Sequence, residues 1–132
     1  MRAGRPSVTA RIVALTRATL ERPTVPSGDA GAERRLYESL GRVRFYRTGP
    51  NWQARMERRT AFFDRATLSA LERGVRQVVI VGAGYDGRAL RFATPGVRWF
   101  EVDHPATQPD KRARLATVGA STDHITFVSV DL

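Results

Sequence analysis

Apolar residues change their spacing part-way along the chain, and the change divides it. From Ser7 to about Leu20, Val8, Ile12, Leu15 and Thr19 recur at helical intervals behind a serine able to cap the first turn, which predicts a helix. Pro23 and Pro26, followed by Ser27-Gly28-Asp29, end it in a loop. A second helix is expected over Ala32–Gly41, with Leu36, Tyr37 and Leu40 on its apolar side, before Gly49-Pro50 breaks the chain. A third, from about Trp52 to Arg73, places Met56, Phe63 and Leu71 near one stripe with Leu68 and Ala70 beside it. Gly74 then stands where a C-cap glycine belongs.

Beyond Gly74 the texture is different. Gln77–Val81 is β-branched and apolar without alternation, as a parallel strand buried on both faces should be. Gly82-Ala83-Gly84-Tyr85-Asp86-Gly87 makes a glycine-rich turn, and Arg88–Ala93 reads as helix until Thr94-Pro95-Gly96 stops it. Val97–Val102 is a second strand, Ala106–Val118 a further helix closed by Gly119, and His124–Val130 a third strand. The expected fold class is α/β: helices over 1–74, then the β-α-β-α-β half of a Rossmann-like parallel sheet over 75–132. In a doubly wound sheet the fourth strand lies beside the first. Without it the backbone edge of Val78–Val81 is exposed, so a C-terminal half of the fold is expected beyond Leu132.

Composition narrows the chemistry. The 132 residues contain no cysteine, which removes disulfides, zinc–thiolate sites and cysteine nucleophiles. Two histidines, His104 and His124, leave little for a histidine-built metal site, and none is expected. No apolar run approaches the roughly 20 residues needed to cross a bilayer, and Arg11 and Arg17 interrupt the N-terminal candidate for a signal segment. The expected location is the cytoplasm. Of the formal charge of +9, residues 1–60 carry thirteen arginines against five acids. Such an arm can bind nucleic acid or anionic surfaces, but no recognition module accompanies it, and an arginine-rich solvated surface explains it as well.

The glycine turn carries the candidate site. Gly82-x-Gly84-x-x-Gly87 follows a strand and opens a helix, and Glu101 or Asp103 ends the next strand at about the spacing of a ribose-binding acid. Glu101 and Asp103 share a face of that strand, so both can reach a ligand cleft; the alternative is that one of them is a strand-end acid paired with Arg98 or Lys111. Asp86 bears on ligand choice. A carboxylate there opposes a pyrophosphate and suits a cationic ligand, while as a first-turn acid it also complements the helix dipole. Asp131, ending the third strand, is placed to receive an adenine amino group.

Taken together, Gln77-Val78-Val79-Ile80-Val81-Gly82-Ala83-Gly84-Tyr85-Asp86-Gly87-Arg88-Ala89-Leu90-Arg91 resembles the first motif of the leucine carboxyl methyltransferase family, and most closely its actinobacterial S-adenosylmethionine-dependent branch. Arg59-Thr60-Ala61-Phe62-Phe63-Asp64, Phe100-Glu101-Val102-Asp103-His104-Pro105 followed by Lys111, Asp131-Leu132 and the early Ser7-Val8-Thr9-Ala10 and Gly28-Asp29 are similar to further motifs of that branch in the same order. Tyr85 and Gly87 depart from the family, which more often has an aliphatic and a small hydroxyl residue there.

The resemblance implies an O-methyltransferase with S-adenosyl-L-methionine as cofactor and a small carboxylate or hydroxyl compound as acceptor. By position, Asp103 would bind the donor's ribose and Asp131-Leu132 would contact adenine. Gly82 and Gly84 would admit its amino-acid part, and Arg59, with Arg58 and Arg65 as neighbours, would pair with its carboxylate. No residue is assigned as a nucleophile or base: His104 is expected to shape a turn and His124 to start a strand. The competing readings are a fragment of an NAD-type dehydrogenase and a basic nucleic-acid or anion-binding module.

Overall fold

The computed structural model describes residues 4–43 and 47–132. Ser7 caps α1 (Val8–Arg17) by accepting a hydrogen bond from the Ala10 amide at 3.2 Å. Asp29 does the same for α2 (Ala30–Ser39) through the Ala32 amide at 2.7 Å, so the loop residue read as a helix stop is the start of the next helix. Helix α3 (Trp52–Glu72) runs for 21 residues and ends at Gly74, whose φ of +92° is the left-handed conformation that glycine adopts most easily.

Three parallel strands follow in the order β1 (Gln77–Val81), β2 (Arg98–Asp103), β3 (Ile125–Ser129), with α4 (Arg88–Arg91) and α5 (Gln108–Thr117) between them. Val78 lies beside Trp99 and Ile80 beside Glu101, and Trp99 in turn beside Ile125. Those residues form the covered face. Trp99 is fully buried against Ala89 and Leu90 of α4, Leu115 of α5, and Leu36, Tyr37 and Leu40 at the α2 end. The fold is therefore the α/β half-sheet expected, with the N-terminal helices contributing to the same core. No helix among the described residues is long and apolar enough to cross a membrane.

Two expectations are corrected. Gln77–Val81 is not buried on both faces: exposure alternates, with Val79 at 59% and Val81 at 66%. Both following helices pack on the Trp99 face, and β1 is the edge strand, so its other face stays open. In α3, Met56 is buried but Phe63 is not; Thr60 and Asp64 take the buried stripe with it, at intervals of four. A carboxylate sits in a helix's buried stripe because Arg22, from the loop after α1, and Arg88, from α4, pair with it.

Candidate functional site

The carboxyl ends of β1 and β2 open into a cleft of about 460 Å³, bounded by α1, α3 and the glycine turn. Gly82 and Gly84 adopt φ of +64° and +50°, so the turn uses the backbone freedom that the sequence reserves there. At Gly84 the space is also limited, since a Cβ would stand 2.9 Å from that of Ala10 in α1. The Gly84 amide donates to Asp103 Oδ2 at 2.9 Å, which ties the end of β2 to the turn. Asp103 is half-buried and lines the cleft. Its other carboxylate oxygen has no partner among the described residues.

Glu101, two residues earlier on the same face, does not reach the cleft. It is fully buried, 2.5 Å from Lys111 Nζ, which also donates to the Asp86 carbonyl at 2.6 Å. Burial raises the Glu101 pKa although the Lys111 ammonium opposes that shift. This acid ties β2 to α5. Of the two carboxylates, Asp103 is the one open to a ligand.

Asp86 lines the cleft but is 4% exposed. Its carboxylate accepts from the Arg88 amide at 2.8 Å, from Arg88 Nη1 at 2.5 Å, and faces Arg17 Nη1 at 3.0 Å. Burial alone would raise its pKa; Arg17 and Arg88 overcome that and hold it down at about 2. The charge is thus neutralised within the protein, and the expectation that Asp86 selects a cation by its own free charge is corrected. The helix that follows the turn, α4, has four residues, a single turn with little dipole to offer an anion.

Behind Asp86 lies a feature the sequence reading missed. Arg88 Nε donates to Asp64 at 2.8 Å, Arg22 holds Asp64 at 2.9 and 3.1 Å, and Arg22 Nη1 reaches Glu33 at 2.5 Å. Arg91 also donates to Glu33, as does the Tyr37 hydroxyl at 3.1 Å. Acids and guanidiniums alternate from Arg17 through Asp86, Arg88, Asp64, Arg22 and Glu33 to Arg91. They join all four helices of the N-terminal side and glycine turn. Gly87 makes room for it, because a Cβ there would meet Glu33 Cγ at 2.3 Å. The one advance sign was Asp64 itself, at helical spacing from Met56 and Thr60.

A profile of leucine carboxyl methyltransferases matches residues 15–132. The chain belongs to that family. Relatives named "Putative S-adenosyl-L-methionine-dependent methyltransferase" are similar over parts of it. One from Mycolicibacterium paratuberculosis is 47% identical over 79 residues, 58% of this chain and 25% of the relative. One from Mycolicibacterium gilvum is 42% identical over 79 residues, 58% of this chain and 26% of the relative. One from Parafrankia sp. is 58% identical over 59 residues, 44% of this chain and 19% of the relative. The matched stretches span 19–26% of those relatives.

Among the family motif's arginines, Arg59 lines the cleft as an exposed side chain; Arg58 and Arg65 are exposed and do not line it. Asp131 and Leu132 follow β3 and do not line the cleft either. Asp131 is 82% exposed at its side chain and 3.4 Å from His104 Nε2, while the Val130 amide donates to the Asp103 carbonyl at 2.9 Å. His104 shapes its turn as expected: its Nδ1 stands 3.0 Å from the Ala106 amide, and its carbonyl accepts from Thr107 and Gln108 at the start of α5. His124 lies just before β3, with Nε2 2.6 Å from the Ala89 carbonyl.

Proposed function

We propose that this chain forms the donor-binding part of an S-adenosyl-L-methionine-dependent O-methyltransferase whose acceptor is a small molecule bearing a carboxylate or hydroxyl oxygen. The observation that carries the reading is Asp103. It sits at the end of β2, is fixed by the Gly84 amide, and keeps an oxygen without a partner among the described residues, beside a cleft edged by a positive-φ glycine turn. That oxygen suits a pair of ribose hydroxyls, and the glycine backbone leaves room for the amino-acid end. Asp131-Leu132, joined to the end of β2 through Val130, is the segment assigned to adenine. The membership in the methyltransferase family and the printed names of the relatives support the same ligand.

When bound, the cofactor supplies a methyl group activated on a sulfonium. The residues present here bind and orient. Asp103 and the glycine turn fix the donor's ribose and amino-acid end, and Arg59 offers a solvated cation at the cleft to an anionic acceptor. A carboxylate acceptor is ionised at neutral pH, its reference pKa lying near 4, and needs no base. Catalysis then rests on alignment of the acceptor oxygen. With a carboxylate acceptor neither histidine is needed for proton transfer, and each is engaged elsewhere, His104 in its turn and His124 with the Ala89 carbonyl.

Calorimetry of the purified chain with S-adenosylhomocysteine and with NAD tests the assignment. Saturable heat with the sulfur nucleoside alone is the expected result. Binding of NAD with no response to S-adenosylhomocysteine would overturn it.

A further inference from the structure

We propose that Lys111 is a positioning residue of the donor site, one that sets the glycine turn against Asp103; the inference rests on the methyl-donor reading above. Lys111 lies on α5, one turn after Gln108, and is 1% exposed. It does not line the cleft. Its ammonium donates to Glu101 Oε2 on β2 at 2.5 Å and to the Asp86 carbonyl in the turn at 2.6 Å. Among the described residues it is the only donor to that buried carbonyl.

Stability alone does not account for the pair. Two buried charges lose hydration that their attraction only roughly repays, so a well-packed apolar pair serves a core at least as well. What an apolar pair cannot do is hold a third group. Glu101 stands two residues before Asp103 on the same face of β2, and Asp86 two residues after Gly84. One ammonium therefore spans both halves of the proposed site. The end of β2 and the turn are joined as well by the Ala83 amide on the Val102 carbonyl at 3.1 Å and by the Gly84 amide on Asp103. Of these three ties, only Lys111 acts beyond Gly84. Gln108 does a different job, since its amide donates to the Glu101 and Val128 carbonyls at 3.0 and 3.1 Å and so ties β2 to β3. A ligand that rests its ribose on Asp103 and its amino-acid end on the turn depends on the spacing that Lys111 sets. A ligand that ends at the ribose does not. Groups that touch a ligand bind it well only when a supporting shell holds them in place.

The test separates holding the turn from merely neutralising Glu101. Lys111→Met combined with Glu101→Leu replaces the ion pair by apolar side chains and leaves the Asp86 carbonyl without its donor; Gln108→Met is the comparison. Calorimetry would measure S-adenosylhomocysteine and 5′-methylthioadenosine, which keeps adenine, ribose and sulfur but lacks the amino-acid end. The double variant should melt no more than about 5 °C below the wild type. It should bind S-adenosylhomocysteine about tenfold more weakly relative to methylthioadenosine, while Gln108→Met leaves that ratio within about twofold. An unchanged ratio in the folded double variant, or the same fall in Gln108→Met, would overturn the proposal. Amide hydrogen exchange without ligand gives a second reading. The Gly84 amide, held by Asp103, should exchange about tenfold faster in the double variant, while the Trp99 amide, held by the His124 carbonyl, stays as in the wild type. Equal protection of Gly84 in both proteins would overturn the proposal whatever the ligands do. If the apolar pair does not fold, Lys111→Met alone gives the same two readings at pH 5, where Glu101 without its cation takes up a proton. A wild type that binds neither ligand, with Gly84 exchange responding as expected, would overturn the methyl-donor reading and leave the role of Lys111 standing.

Discussion

The two faces of the sheet are organised by different forces. On the face that carries Trp99 and Glu101, helices close over the strands, and the interior they create holds an unusual share of charge: Glu33, Asp64, Asp86, Arg88, Glu101 and Lys111 are all buried. On the other face, Val79, Val81 and Val128 are exposed and apolar. The usual partition, apolar inside and charged outside, is locally reversed. The lesson is that order on the covered side comes from pairing, where each acid has a cation at hydrogen-bond distance. The open side has propensity and hydrophobicity but nothing among the described residues to pack against. The candidate site lies where the two meet, at the carboxyl ends of β1 and β2.

Breaking the pairing should give the largest effect. Asp64→Ala would leave Arg22 and Arg88 buried without their shared acid, and is expected to cost about 3–5 kcal/mol in urea denaturation. A cost below about 1 kcal/mol would mean that the alternating charges do not hold the helices to the glycine turn.

The acid limb of stability sharpens the same contrast. Asp86 has a folded pKa of about 2, below its ordinary value, so it contributes stability that is fully present above about pH 4 and is lost as the pH falls toward 2. The contribution is about 2 kcal/mol. Glu101 has the opposite sign, because its pKa is raised, and protonating it relieves a cost. Asp86→Asn should therefore flatten the fall in stability between pH 4 and 2, measured by urea unfolding at a series of pH values. An unchanged acid limb would show that Arg17 and Arg88 do not stabilise the Asp86 carboxylate.

The open face should respond least. Val79→Thr with Val81→Thr changes exposed side chains and should alter stability by no more than about 0.5 kcal/mol. Light scattering should nonetheless show less self-association, since β1 is an edge strand with an apolar exposed face. A loss of several kcal/mol would mean that this face is packed after all.

Much of this was legible in the sequence, for local reasons. The strands, the glycine turn, the Ser7 cap and the Gly74 stop each depend on residues within a few positions of one another. The acid at the end of β2 was legible too, but its division of labour was not. Glu101 and Asp103 have the same parity, and only the reach of Lys111 from α5 separates a structural acid from a ligand-facing one. Pairings such as Arg22 with Asp64, 42 residues apart, leave no periodic trace. Counting apolar positions alone also put Phe63 in the α3 core, where Thr60 and Asp64 in fact lie. Arg17 read as an interruption of an apolar segment, although its position at the end of α1 takes it to the cleft.

The proposed donor site turns on one atom, the Asp103 carboxylate oxygen left free beside the glycine turn among the described residues. Calorimetry of Asp103→Asn with S-adenosylhomocysteine, alongside a thermal melt, tests it most directly. The substitution keeps an oxygen that can accept the Gly84 amide and removes the charge. Affinity should fall by about one to two decades, the equivalent of a charge-assisted hydrogen bond of about 1.5–3 kcal/mol, with the melting temperature little changed. Full retention of affinity by a folded Asp103→Asn protein would contradict it.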